Sequence, residues 1–247
     1  MERSERFFGV IAAVILALVF LPLIWAFQGF LLFHILTENI TIIIHILLFV
    51  IGIKTYKFSK NFVVLFISTA YLYVAALGFL HVLSYKGMNL IVGIETGMAT
   101  QFWIARRLLE VASLLAVTFL GGKTISFVSL NGVYCLVTVG IIVSIFTKVF
   151  PACYIDGIGL TAFKKAAEYL IILMGIITLL RLKVLRKNLD PVYVKVIGWA
   201  IAFGLAAEVV FTLYITVYDI VNGIGHMLYL FSSSLLAVFI VQEGIDK

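Results

Sequence analysis

The chain alternates between long apolar stretches and short polar breaks. Eight apolar segments can be drawn, at residues 7–27, 30–53, 62–84, 101–120, 126–149, about 166–184, 194–217 and 224–242. Each approaches the roughly 20 residues that a helix needs to cross about 30 Å of hydrocarbon while satisfying its own backbone. "WAFQGF" is the plausible turn between the first two segments, because a turn at "TENIT" would leave the next span too short. The longest early break is 85–100, where Gly87, Gly93 and Gly97 supply turn signals. Short connections predict that consecutive helices are antiparallel neighbours. The pattern predicts an all-α fold: a polytopic transmembrane helical bundle of about eight spans, forming a single integral-membrane domain over 1–247.

Composition strengthens this reading. Hydrophobic residues make up 64% of the chain and charged residues 12%, against about 25% charged in soluble domains. A chain this poor in charge cannot cover a soluble surface. The net charge of +6 is therefore a matter of topology and not a nucleic-acid signal. Arg3, Arg6, Lys54, Lys57, Lys60, Lys123, Arg181, Lys183, Arg186, Lys187, Lys195 and Lys247 fall on one side of the eight-span scheme. Lys86, Arg106, Arg107, Lys148, Lys164 and Lys165 fall on the other. Basic residues favour the cytoplasmic side, so the expectation is a multi-pass cell-membrane protein with both termini cytoplasmic. The two lysines of "AFKKAAEY" run against that rule. "MERSER" leads into an apolar run without a small-residue cleavage site, and reads as part of a first span rather than a removed signal. Cys135 and Cys153 could meet near the outer face, but two unlinked thiols are the simpler expectation.

Ionisable residues inside a span are costly and mark candidate function. In the expected topology His34, His81 and His226 fall in the outer leaflet, as do Glu38, Glu110, Glu168, Glu208, Arg106 and Arg107. His34, Glu38, Thr41 and His45 follow spacings of four, three and four, which makes one polar stripe on an otherwise apolar helix. That stripe must face the bundle interior. A His/Glu pair four residues apart can place two ligands on one metal, or let the carboxylate fix the imidazole tautomer. His34, Glu38, His81 and His226 together suit Zn, Cu or Fe, and histidine is also a haem ligand. His45 lies deeper, where a hydrogen bond to a neighbouring helix explains it better than ligation. Arg106 and Glu110, one turn apart, predict an intrahelical ion pair. Arg107 is then free to face an anion or a haem propionate, and Glu208 is a further partner for either arginine. Most of the aromatic residues are expected to face lipid or the interface, and they are no evidence of a cofactor. A two-haem carrier is disfavoured, because it needs two histidines in each leaflet.

Several stretches carry a resemblance. "FHILTENITIIIHI", "FLHVLSYKGM", "ATQFWIARRLLE" and "GHMLYLFSSSLLAVFIVQEGI" resemble the third class of membrane-associated sensor domains (MASE), the input modules of histidine kinases, diguanylate cyclases and related signalling proteins. The resemblance covers nearly the whole chain. It implies that His34, Glu38, His81, Lys86, Gly87, Met88, Gln101, Trp103, Arg106 and His226 are the motif positions, and it implies no particular ligand. Such a domain normally leads into a cytoplasmic output module. Here the chain stops at "QEGIDK", so the expectation is either a shortened chain or a stand-alone member that needs a partner protein.

The leading expectation is a sensory input domain rather than an enzyme. It would bind a transition metal (Zn, Cu or Fe), haem b or another small ligand through His34, Glu38, His81 and His226, with Arg106 and Arg107 nearby. The last helix would relay the signal to a cytoplasmic module or partner, with a homodimer left open. The alternatives are a haem or quinone redox protein, a zinc-dependent membrane hydrolase with Glu38 as general base, and a transporter.

Overall fold

The computed structural model of the chain describes residues 16, 19–90, 97–120 and 125–245. Most of the first expected span lies outside these residues, as do Arg3, Arg6, Gly93, Lys123 and Lys247.

The apolar segments are helices. They are α1 (Val19–Gln28), α2 (Phe30–Ser59), α3 (Phe62–Leu83), α4 (Met98–Leu120), α5 (Phe127–Phe146), α6 (Ala162–Arg181), α7 (Pro191–Phe211) and α8 (Ile220–Ile245). The "WAFQGF" turn is real and turns on Gly29, whose φ of 88° and ψ of 169° suit a residue without a Cβ. Side-chain caps start several of the others. Asn61 accepts from the Val63 amide, Ser126 from Ser129, Thr161 from Lys164, and Asp190 from Val192 beside Pro191. Each satisfies one of the amides that a helix start leaves without a partner. Asp219 does the same for α8, accepting from the Val221 amide at 3.0 Å.

Among the described residues five helices, α2, α3, α5, α7 and α8, are long and apolar enough to cross a membrane. That is fewer than the eight segments expected. Apart from the first segment, most of which lies outside the described residues, the shortfall has a physical cause in α4 and α6, which are 23 and 20 residues long but carry Arg106, Arg107 and Glu110, or Lys164, Lys165 and Glu168, in their length. Of these six, all but Lys165 are buried, so the charges that lower their hydropathy point into the protein. Helix ends move by a few residues from expectation. The seventh stops at Phe211, because residues 212–219 turn, and a 3-10 helix (Leu182–Lys187) follows α6. A two-residue antiparallel hairpin, Tyr154–Ile155 against Gly159–Leu160, sits between α5 and α6, where only a loop was expected.

Consecutive helices are not all neighbours. Close packing runs α3 to α2, α2 to α8, α8 to α7, α7 to α6, α6 to α4 and α4 back to α3. Six helices thus close a ring, while α5 lies outside it, mainly against α3. The lipid-facing side of α5 follows: Val128, Val133, Leu136 and Val143 are exposed. One apolar cluster, including Val63, Val64, Leu65, Ile197, Leu236, Phe239 and Ile240, fills one end of the ring. A second, including Phe33, Trp103, Ile104, Phe211 and Tyr229, surrounds the polar site at the other.

Candidate functional site

The stripe on α2 faces inward as its spacing requires: His34, Glu38, Thr41 and His45 have no exposed surface. The Thr37 and Thr41 hydroxyls donate to carbonyls one turn back, so they need no partner on another helix. His81 comes from the last turn of α3 and His226 from the second turn of α8, and both are buried. One ligand-type atom from each of His34, Glu38, His81 and His226 lies within 4.8 Å of the other three. Four residues spread over 193 positions of sequence meet at one point because α2 packs on both α3 and α8.

Hydrogen bonds orient these rings. His81 Nδ1 is 2.8 Å from the Ala99 carbonyl, which can only accept, so Nδ1 carries the hydrogen and a neutral His81 presents a bare Nε2. His226 Nδ1 lies 2.8 Å from Glu38 Oε1, which likewise leaves His226 Nε2 as the free nitrogen. A ligating histidine is commonly held in this way, with its second nitrogen donating to a carbonyl or a carboxylate behind it. His34 Nε2 faces His81 Nε2 at 3.3 Å, while His34 Nδ1 is buried without a partner among the described residues. Arg106 Nη1 donates to Glu38 Oε2 at 2.5 Å, so both oxygens of Glu38 are engaged.

Aromatic rings wall the cluster. Tyr85 stacks on His34 with centroids 3.7 Å apart. Trp103 lies 5.5 Å from His81 and 5.1 Å from His226, and Phe211 lies 5.1 Å from His226. The Trp103 indole N–H is buried without an acceptor among the described residues. A cavity of about 20 Å³ opens beside the rings, lined by His81, Tyr85, Trp103, Phe211, Asn222 and His226 among others. That is room for about one water.

A second tier of charge lies behind the first. Arg107 donates to both Glu110 and Glu208. The hydroxyls of Tyr71 and Tyr229 each donate to Glu110 at 2.6 Å. The guanidinium groups of Arg106 and Arg107 stand 4.8 and 4.4 Å from the Tyr229 ring centroid. Lys164 pairs with Glu168 at 2.7 Å and donates to the Phe211 carbonyl at 2.6 Å. Deeper still, His45 Nε2 meets Ser233 Oγ at 3.0 Å, the neighbouring-helix bond expected of it.

Two expectations are corrected here. Arg106 does not pair with Glu110 along its own helix but reaches across to Glu38 on α2. Arg107 is not free to face an anion, because Glu110 and Glu208 both hold it. The reason is space: the two arginines are adjacent on α4 and cannot share one direction, so each takes the carboxylate its own direction offers. Among the aromatic residues, Trp103, Tyr71, Tyr85 and Tyr229 are buried around the polar core. Composition hid that role. The spacing His226, Tyr229, Ser233, three then four residues, marks one face of α8 as the earlier stripe marks α2, and could have found two of these partners.

The loops at this end are tied together. Lys86 and Asp156 pair at 2.9 Å on the surface, and that hydrogen bond raises the Lys86 ammonium above its ordinary range. Tyr85 donates to the Val217 carbonyl at 2.5 Å and Tyr218 to the Lys86 carbonyl at 2.9 Å. Burial pushes the Cys153 thiol up to about 12. Both cysteines are free: Cys153 is buried and Cys135 is exposed on α5.

The model of one family, the membrane-associated sensor domain, matches residues 25–247. Neither curated proteins nor solved structures yield a match to this chain. A match from the end of α1 through α8 takes in every helix that contributes to the buried cluster, and the chain belongs to the family of membrane-associated sensor domains.

Proposed function

We propose that this domain is a sensory input module whose buried histidines bind one transition-metal ion, and that α8 carries the bound state to a cytoplasmic output module or partner protein. The observation that carries the reading is the 3.3 Å approach of His34 Nε2 to His81 Nε2. Zn–N bonds of about 2.0–2.1 Å at a tetrahedral angle put two ligand nitrogens about 3.3–3.4 Å apart. The pair is therefore spaced as ligands already are. The outer hydrogen bonds on His81 and His226 support the same reading, since they turn an Nε2 lone pair of each inward.

In this reading His34, His81 and His226 are the ligands. Glu38 stands behind His226, with both its oxygens taken by His226 and Arg106. Three imidazoles suit Zn, Cu or Fe. Space favours an ion over haem b. The cavity at the rings is about 20 Å³, whereas pockets for organic cofactors and ligands run to roughly 300 Å³ or more. The larger apolar groove, about 650 Å³, is lined by residues such as Trp25, Phe203, Ile224 and Phe231 and by none of the histidines.

The basic-residue distribution supports a topology with both termini in the cytoplasm and the cluster in the outer leaflet. His226 lies near the start of α8, so an ion that draws His226 towards His34 and His81 acts on the helix that ends at the output side. Such an ion shifts the domain only as far as it binds two arrangements of α8 unequally.

The test uses the purified full chain in detergent under metal-replete conditions, with elemental analysis and a visible spectrum for the wild type and for His81→Ala. One equivalent of metal in the wild type, lost in the variant, is expected, with no Soret band. A wild type that binds no metal overturns the reading, and a Soret band replaces the ion with haem.

A further inference from the structure

We infer that Glu168 on α6 and Glu208 on α7 hold one proton between them, forming a proton-binding site separate from the histidine cluster. Both side chains are fully buried, and Lys164, which pairs with Glu168, also donates to the Phe211 carbonyl one turn along α7 from Glu208, so the two carboxyls lie at one place in the α6–α7 contact. A carboxylate oxygen only accepts, so two carboxyls in contact need a proton on one of them. Glu208 Oε1 accepts from Arg107 and Glu168 Oε1 pairs with Lys164. Neither oxygen of Glu168 nor Glu208 Oε2 receives a hydrogen bond among the described residues, although the Lys164 ammonium lies 2.7 Å from Glu168 Oε1. A shared proton is the donor both lack.

The charge inventory points the same way. Among the described residues, the buried charged groups are the carboxylates Glu38, Glu110, Glu168 and Glu208 and the cations Arg106, Arg107 and Lys164. Four negative groups thus face three positive ones. An uncompensated charge in a membrane interior is costly, and one proton makes the ion-free set neutral. The other groups near the pair add no further positive charge: Arg107 and Glu110 of α4 are already mutually paired, Lys164 is on α6, and Tyr214 and Cys153 come from the adjoining loops. Tyr229 of α8 faces Arg107 rather than the pair. Placing the extra proton on the histidines would leave these carboxylate oxygens without a donor.

The consequence is a second input. When the proton leaves, two carboxylates on α6 and α7 repel across a contact that helps close the ring, so the packing of α6 on α7 responds to pH whether or not a metal is bound.

Infrared spectroscopy of the full chain tests this. At neutral pH the wild type should show a protonated-carboxyl C=O band that shifts in D₂O. Glu168→Gln, which imitates the protonated acid, should abolish that band, while His81→Ala retains it. Raising the pH should remove the band from the wild type. If Glu168→Gln does not fold, Glu208→Gln serves, since it removes the partner and must shift or abolish the same band. A wild type without the band overturns the inference. So does a band unchanged in whichever glutamine variant folds, or one lost in His81→Ala.

Discussion

Glu38 is held from two sides, by Arg106 of α4 and by His226 of α8, with no exposed surface. Removing it strands a buried guanidinium, and breaking a buried pair by deleting one partner costs about 3–5 kcal/mol. Glu38→Ala should therefore lower the unfolding free energy in detergent by about that much, while Glu38→Gln, which keeps an acceptor for Arg106, should lose distinctly less. Equal losses in chemical denaturation would mean that the charge of Glu38, which glutamine lacks, carries the whole effect and the retained acceptor none of it. The inward direction of Glu38 was legible from its place between His34 and His45 on one helical stripe. Its partner was not. Arg106 and Arg107 are adjacent, and local spacing assigns Glu110 to the wrong one, because a carboxylate from another helix can outcompete one on the same helix.

Between elements, the closeness of α2 and α3 rests on small residues. A Cβ added at Gly52 would fall 1.7 Å from Ser68 Oγ and 2.6 Å from Ser68 Cβ, so the helices must separate to admit it. Overpacking of this kind costs about 1–3 kcal/mol, and Gly52→Ala should lower the melting temperature accordingly. Pairing it with Ser68→Gly should restore part of the loss. At the start of α8, the Val221 and Ile215 amides hold the Asp219 carboxyl below the usual carboxylate range. Asp219→Ala removes this cap and should cost about 1 kcal/mol near neutral pH. Because the folded carboxyl titrates lower than the unfolded one, its contribution is present above about pH 4 and fades as the pH falls through the folded value. The gap between wild type and variant should accordingly close in acid. A gap that stays constant with pH would show that the charge is not what caps the helix. Helix positions along the chain were legible from hydropathy to within a few residues for α3, α4 and α5, while α2 runs six residues past its expected end. The ends of α7 and α8 were not, since residues 212–219 are apolar enough to read as helix but fold back as a loop held by Asp219 and Asn222.

At the scale of the molecule, the proposed ion would tie α2, α3 and α8 at one end of the ring. A ligand that binds only the folded state stabilises it by about 2.7 kcal/mol at a hundred times its Kd. Adding the bound metal to stripped protein should raise its melting temperature, and His81→Ala should show no such rise. A rise of equal size in both would assign the effect to sites elsewhere. The apolar runs were enough to establish a helical membrane protein, and the polar spacing on α2 was enough to say which face of that helix turns inward, because both depend on residues near one another in the chain. Which histidines meet, which carboxylate each arginine takes and which helices are neighbours depend on packing across the ring. A periodic pattern fixes the direction of a side chain relative to its own helix axis. It carries no term for the rotation and depth of one helix against another, and those were decided only when six apolar faces and seven buried charges had to be satisfied together.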